Sequence, residues 1–173
     1  MSTTVDAKSL LGRQPSASAV AGQITVATVR PRDLRAVARL QRRAFRPMLA
    51  YRFSTLVLLW VWPPATFLVA RAGGRVVGCA IGDFHGGQSR VINICVDPDA
   101  RRQRIGSRLL SAIEAALPRG DMMLMVEQQN EAAKRLYEHA GYHSVGASVA
   151  YYGRGRDGVW MQKNRTRSPA TPP

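Results

Sequence analysis

The residues with the clearest capacity for chemistry lie between Val91 and Leu110, where an apolar strand pattern runs through an arginine-rich turn into an amphipathic helix pattern. The first backbone N–H groups of a helix have no intrahelical partner, and the helix dipole adds partial positive charge at that end. A pyrophosphate could be bound there by the main chain, with arginines adding charge-assisted hydrogen bonds and Gly106 allowing a close approach. The same turn could equally be a solvated run of charge, so its physics alone leaves both interpretations open.

A second informative segment, Asn130 to Tyr142, reads NEAAKRLYEHAGY. Its spacing predicts a helix that follows an N-cap at Asn130 and is closed by Gly141. Tyr137 lies at a core-facing position of this helix. It is either a plain core aromatic or a phenol whose ring packs on the sheet while its hydroxyl reaches a cleft.

Together the two segments resemble the coenzyme motif and the following helix of the GNAT family of N-acetyltransferases. The family's phosphate turn reads Gln/Arg-x-x-Gly-x-Gly/Ala, and its later helix reads Asn-x-x-Ala-x-x-Leu-Tyr-Glu-x-x-Gly-Phe/Tyr. The matching residues are Arg101, Gly106, Asn130, Ala133, Leu136, Tyr137, Glu138, Gly141 and Tyr142. One departure is Arg104, which stands where the family has its first glycine. We expect its backbone N–H to remain a usable donor if φ stays negative.

The resemblance implies an enzyme that moves an acetyl group from acetyl-CoA to a primary amine, and it implies no metal. It implies that Ile94, Cys95 and Val96 offer main-chain groups to the pantetheine arm of the coenzyme and that Asn130 contacts the coenzyme further along. The pyrophosphate would be bound by the turn and the start of the helix, Arg101, Arg102, Gln103, Arg104, Ile105, Gly106 and Ser107. Tyr137 would be the general acid for the departing thiolate.

The general base is not assigned by the sequence. In the branch of the family that acetylates protein amino termini, which the segment NICVDPD resembles, a Glu or His stands where this chain has Met125. Glu127, two residues later and on the same face of a regular strand, is the predicted substitute, although it could instead be a surface carboxylate or the partner of an arginine. Asp83, His85 or a water chain are the alternatives.

The acceptor is predicted to be a protein or peptide amino terminus, because a formal charge of +14 repels polyamines but tolerates an amine with neutral or acidic neighbours. By resemblance, Tyr151 and Tyr152 line a peptide groove, unless they only pack across strands. By analogy, the acceptor is a ribosomal-protein terminus, because a basic enzyme could dwell on an RNA-rich particle. Two alternatives stay open: a small-amine N-acetyltransferase, and a noncatalytic acyl-CoA sensor or RNA-associated module.

The elements that must position these residues follow a regular order. Hydrophobic periodicity predicts β-α-α-β-β-β-α-β-α-β-β, an α/β domain with a mixed sheet of about seven strands and about four helices over residues 23–163. One hairpin is predicted around Gly73-Gly74, and one of the last strands is predicted over 144–152. The Ser, Thr, Ala and Pro composition of residues 1–22 and 164–173 predicts flexible tails.

Length and composition fit one globular domain, since the chain has 173 residues, of which 46% are hydrophobic and 21% charged. Cys79 and Cys95 lie in apolar runs and are predicted to be buried thiols rather than metal ligands or a disulfide. The amino terminus lacks a continuous apolar stretch, which favours a cytoplasmic location. Residues 53–70 carry no charge, but Pro63-Pro64 interrupts them and predicts two shorter elements instead of a membrane span.

Overall fold

The computed structural model of the chain describes residues 23–118 and 120–165. The strands are β1 (Thr25–Thr28), β2 (Ala65–Ala72), β3 (Arg75–His85), β4 (Gln88–Val96), β5 (Met122–Glu127), β6 (His143–Ser148) and β7 (Gly158–Lys163). The α-helices are α1 (Leu34–Ala44), α2 (Phe53–Val61), α3 (Ile105–Ala116) and α4 (Glu131–His139). The described residues therefore confirm the predicted order of elements. The predicted tails at 1–22 and 166–173 lie outside them.

All the described strands belong to one sheet of order β1-β2-β3-β4-β5-β7-β6. Every neighbouring pair is antiparallel except β4 and β5. That parallel pair is short, because only Ser89–Val91 pair with Met122–Leu124. Next to this point, Val91 pairs with Gly82 and Asn93 with Ile81, so Ile92 is an extra residue in β4. Such a β-bulge bends its strand, and the sheet opens between the carboxyl ends of β4 and β5.

Helices cover both faces of the sheet. On one face α3 and α4 form a core with alternate residues of β2 to β5, and on the other face α1 and α2 pack on the remaining residues. Buried positions of the first core include Ile105, Leu109, Ile113, Leu124 and Tyr137. Those of the second include Leu34, Val37, Leu56, Val69 and Ile81. The opening between β4 and β5 is therefore bounded by helices above and below the sheet.

Close packing of α3 on β3 depends on two glycines. A Cβ added at Gly78 would lie 2.8 Å from Leu109 Cδ1, and one added at Gly82 would lie 2.8 Å from Cδ1 of Leu117, at the end of α3. The absence of a side chain at both positions lets the helix approach the strand along its length. This contact fixes the helix whose first turn carries the arginine-rich motif.

The hairpin predicted at Gly73-Gly74 is confirmed, with φ of +54° and +80°. The strand predicted over 144–152 is wrong at its end, because β6 stops at Ser148. Ala150 has a φ of +54°, and its N–H donates to the Asp157 carboxylate over 2.8 Å, which turns the chain. Tyr151 and Tyr152 consequently lie in a turn between β6 and β7, so the expectation that they alternate across a strand does not hold.

The uncharged segment at 53–70 forms α2 and most of β2, separated by the Pro63-Pro64 turn as predicted. No helix among the described residues is long and apolar enough to cross a membrane.

Candidate active site

The turn before α3 presents a row of free main-chain donors. The backbone N–H groups from Arg102 to Ser107 donate to no other protein group in the described part of the chain. The first helical bond runs from Arg108 to the Arg104 carbonyl, and no side chain caps the helix. The side chains from Arg101 to Arg104 are exposed. Free amides, a helix dipole and exposed guanidinium groups at one end of α3 make this turn suited to bind a phosphate group.

Arg104 adopts a left-handed backbone conformation, which glycine adopts without strain. Its φ is +56° and its ψ +18°, so the condition of a negative φ is not met, yet its N–H has no partner among the described residues and is a free donor. Arg102 also has a positive φ, of +63°. Left-handed residues set between residues of negative φ turn successive N–H groups toward one concave side, and this accounts for the free donors. The conformation costs an L-residue about 1–2 kcal/mol.

The opening in the sheet begins where β4 leaves β5. Ile94, Cys95 and Val96 keep their pairing with β3 but have no partner on β5. Ile94 and Val96 pack toward α3, whereas the Cys95 side chain is buried against α1. The edge of β4 that faces the opening is thus free to pair with an extended polar chain, as in strand addition.

Cys79 and Cys95 are buried thiols as predicted. They lie directly opposite each other on β3 and β4, with their Sγ atoms 3.5 Å apart. Gln41 of α1 is fully buried beside them, and its Nε2 donates to the Asn93 side-chain Oδ1 over 2.7 Å. These groups form a small polar cluster between α1 and the sheet.

Asn130 and Tyr137 belong to the α4 region: Asn130 is the N-cap of the helix, and Tyr137 packs in the core that α4 shares with α3. The Asn130 Oδ1 accepts a hydrogen bond from the Ala133 N–H over 3.2 Å, which confirms the predicted N-cap. Tyr137 is only 5% exposed, and its hydroxyl has no hydrogen-bond partner among the described residues. Burial raises the pKa of Tyr137 well above its ordinary value. Its hydroxyl therefore keeps its proton, which a general acid requires.

Contact between α4 and α3 ties Tyr137 to the turn. The Leu136 side chain lies 3.3 Å from the position that a Cβ at Gly106 would occupy. The Tyr137 ring packs edge-on against Tyr142, with 5.9 Å between centroids. The phenol and the free amides are consequently fixed by the same pair of helices.

Several tyrosines lie together on the face of β5 opposite to the core that contains α3 and α4. The Tyr152 hydroxyl donates to the Met125 carbonyl over 3.0 Å, and burial raises the pKa of Tyr152 to about 12. The Tyr151 ring lies 5.0 Å from that of Tyr152 and 6.2 Å from that of Trp160. Across from them, Tyr51 precedes α2, and its pKa is raised by burial and by the nearby Tyr151. This aromatic face carries both residues predicted to line an acceptor groove.

Glu127 is engaged by an arginine. The Arg156 Nε and Nη2 donate to its two carboxylate oxygens over 2.6 and 2.7 Å. These bonds lower the pKa of Glu127, and the charge of Arg46 contributes to the same shift. Asp83, the alternative base, accepts two hydrogen bonds from Arg90. His85 lies exposed at the end of β3.

Sequence reasoning missed Arg156, which holds Glu127 and lies 6.0 Å from the Tyr152 ring centroid. Its position depends on the pairing of Glu127 with Gly158 between β5 and β7. The only local signal was an arginine within a glycine-rich turn, GRGRDG, and that signal does not name a partner.

Comparison with known proteins decides the family. The model of the family described as "Acetyltransferase (GNAT) domain" matches residues 63–144, which include the free amides, Asn130 and Tyr137. An uncharacterized N-acetyltransferase of Methanocaldococcus jannaschii is 31% identical over 138 residues, covering 78% of this chain and 87% of that protein. This chain belongs to the GNAT family. It is an N-acetyltransferase with a single GNAT domain.

Two further comparisons show other N-acetyltransferases to which this chain is similar. The N-alpha-acetyltransferase RimI of Mycobacterium tuberculosis is 33% identical over 119 residues, covering 60% of this chain and 75% of that protein. The solved structure of the ribosomal-protein-S18-alanine N-acetyltransferase from Escherichia coli has a TM-score of 0.75 at 23% identity. It covers 87% of this chain and 99% of that one. This structural likeness shows the GNAT fold.

Proposed function

We propose that this GNAT enzyme acetylates the α-amino terminus of a protein, with acetyl-CoA as donor, and that a ribosomal protein in the cytoplasm is the acceptor. The observation that carries the proposal is the tyrosine-rich face of β5, where Arg156 neutralises Glu127; Asp83, on β3, is likewise neutralised by Arg90. A small polycationic amine would need free carboxylates there, whereas a peptide backbone needs hydrogen-bonding and aromatic groups. The relatives named for N-alpha acetylation support the same class of acceptor.

The residues around the opening suit acetyl-CoA. The free N–H groups from Arg102 to Ser107 and the exposed arginines would hold its pyrophosphate, and the unpaired edge from Ile94 to Val96 would hold its amide-containing arm. Asn130, at the N-cap of α4, would contact the coenzyme further along. When bound, acetyl-CoA supplies the thioester, and the protein holds and orients it.

Proton handling is assigned to two side chains. Tyr137 holds a proton on its hydroxyl and is the proposed donor to the leaving sulfur. Glu127 is the proposed acceptor of the amine proton, through water, although its lowered pKa makes it a weaker base than a free glutamate. A peptide α-amine has a pKa of about 8, so part of it is already neutral near physiological pH. A weak base is therefore sufficient, because only part of the amine has a proton to remove.

The test compares Tyr137→Phe with Tyr142→Phe, which removes the hydroxyl of the adjacent tyrosine instead. The purified enzyme is incubated with acetyl-CoA and peptides that differ at their first two residues, and thiol release is followed. We expect kcat to fall by about 100-fold or more in Tyr137→Phe and to change little in Tyr142→Phe. Mass spectrometry should locate the acetyl group on the α-amine.

Three outcomes would contradict parts of the proposal. Turnover of small amines without turnover of any peptide would identify a small-amine acetyltransferase. Coenzyme binding without turnover of either class would identify an acyl-CoA sensor. An equal loss of activity in both tyrosine variants would remove Tyr137 from the role of acid.

A further inference from the structure

A row of arginines that we call the arginine stripe runs from just before α1, along its outer face, to just after it: Arg32, Arg35, Arg39, Arg42 and Arg46. Arg35, Arg39 and Arg42 are spaced i, i+4, i+7, so they lie on one side of the helix. All five side chains are exposed. The opposite side of the helix is buried against the sheet. The stripe therefore faces away from the core along the whole of α1.

None of these five arginines forms an ion pair with another described residue. Arg43 on the same helix behaves differently, because it contacts Asp97 and Asp99 over 2.9 and 2.6 Å. Like charges three and four residues apart destabilise a helix by about 0.2–0.5 kcal/mol per pair. The stripe is an uncompensated cationic surface, which a polyanion would complement.

The stripe leads to the candidate active site. The carbonyl of its last member, Arg46, accepts hydrogen bonds from the N–H groups of Leu49 and Ala50 over 2.9 and 3.2 Å, so a single turn joins the stripe to Tyr51, opposite the tyrosine-rich face. The charge of Arg46 also contributes to the low pKa of Glu127. Glu127 lies on the tyrosine-rich face of β5. A long anion bound along α1 would therefore end beside the face proposed for the acceptor.

We propose that the arginine stripe is a docking surface for the phosphodiester backbone of RNA, which holds an RNA-bound acceptor protein beside the active site. The inference rests on the proposed function, in which the acceptor is a ribosomal protein. Arginine binds phosphate through planar, paired N–H donors, and a row of such groups matches a repeating phosphate chain. Contacts of this kind carry affinity without reading sequence.

The competing occupant is an anionic membrane surface. Membrane-surface helices combine basic residues with large apolar side chains on the inserted face. The exposed positions of α1 between Arg35 and Arg43 are all arginines. Exposed apolar residues occur instead on and just after α2, at Phe53, Leu58, Trp60, Val61 and Trp62. The charge pattern of α1 therefore favours RNA, and vesicles form the opposing arm of the test.

The first test measures binding to a short labelled single-stranded RNA at several salt concentrations. The variant Arg35→Gln/Arg39→Gln/Arg42→Gln is compared with a control of equal net charge, Arg75→Gln/Arg135→Gln/Arg154→Gln. We expect the stripe variant to bind RNA about tenfold more weakly or worse. The slope of log affinity against log salt concentration should fall in magnitude by about 2. The control should lose much less. DNA of the same sequence and vesicles of phosphatidylcholine with phosphatidylserine are measured in parallel.

The second test separates docking from catalysis. Acetylation of a free peptide should be unchanged in the stripe variant, whereas a peptide joined at its carboxyl end to an RNA strand should have a lower KM than the free peptide only in the wild type. Any of three results would overturn the inference. They are equal losses of RNA affinity in both charge variants, tighter binding of the wild type to vesicles or to DNA than to RNA, and a wild-type KM for the conjugate equal to that for the free peptide. Failure of the proposed function would appear separately, as no turnover of the free peptide.

Discussion

At the scale of single residues, the role of Glu127 is governed by the guanidinium of Arg156, which donates to both of its carboxylate oxygens. The ion pair favours the charged carboxylate and so lowers its pKa. If Glu127 accepts the amine proton, activity requires its deprotonated form. That form persists to lower pH in the wild type than it would without Arg156.

We expect Arg156→Gln to raise the pKa of Glu127 and to shift its limb of the pH profile toward higher pH. As the pH falls, kcat/KM decreases first when the peptide amine becomes protonated, near its pKa of about 8. It decreases again at lower pH when Glu127 becomes protonated. The measurement is kcat/KM against pH for a good peptide substrate. Arg154→Gln, in the same turn, is the control because Arg154 has no ion-pair partner among the described residues. An unmoved acidic limb would exclude Glu127 as the base.

These residues also show what the sequence could predict. The Asn130 cap could be predicted because it depends on one helix and its N-terminal turn. The arginine partner of Glu127 could only be left as an alternative, because it depends on how β5 pairs with β7. Charges that are distant in sequence meet only in the tertiary structure, so their effects on pKa cannot be derived from spacing.

At the scale of elements, the turn before α3 combines free donors with an unfavourable backbone conformation at Arg104. We expect Arg104→Gly to be more stable than Arg104→Ala by about 1 kcal/mol, because both variants lose the charge but only glycine adopts a positive φ without strain. Urea unfolding of the two variants gives this difference directly. Equal stabilities would show that the turn relaxes to a negative φ when the arginine is removed.

Element types could be predicted from periodicity, whereas two local conformations could not. The β6 strand ends early at a positive φ on Ala150, a residue with no turn propensity of its own, stabilised by Asp157 seven residues later. The positive φ of Arg104 is likewise imposed by the path from β4 into α3. Both conformations are set by the ends of the elements that they join, and such constraints lie outside any sequence window.

At the scale of the whole molecule, the last described residue joins the sheet to a helix. Arg165 follows β7 and donates to the carbonyls of Glu114 and Pro118 over 2.6 and 2.7 Å, at the carboxyl end of α3. Its own N–H donates to Asp121 over 3.1 Å. The boundary at residue 163 stays a prediction, and these bonds extend ordered contacts two residues beyond it. A positive charge at this end of a helix also interacts favourably with the partial negative charge of the helix dipole.

We expect Arg165→Ala to lower the free energy of unfolding by about 1–3 kcal/mol, because helix carbonyls lose a charged donor. Thermal unfolding measures this loss, and Arg154→Ala, an exposed arginine without such bonds, should be nearly neutral. Arg165 binds the end of α3 opposite to the arginine-rich turn, so the KM for acetyl-CoA should not change. A raised KM with unchanged stability would mean that the two ends of α3 are coupled, and that the turn depends on the carboxyl-terminal contact rather than on β4 and α4 alone.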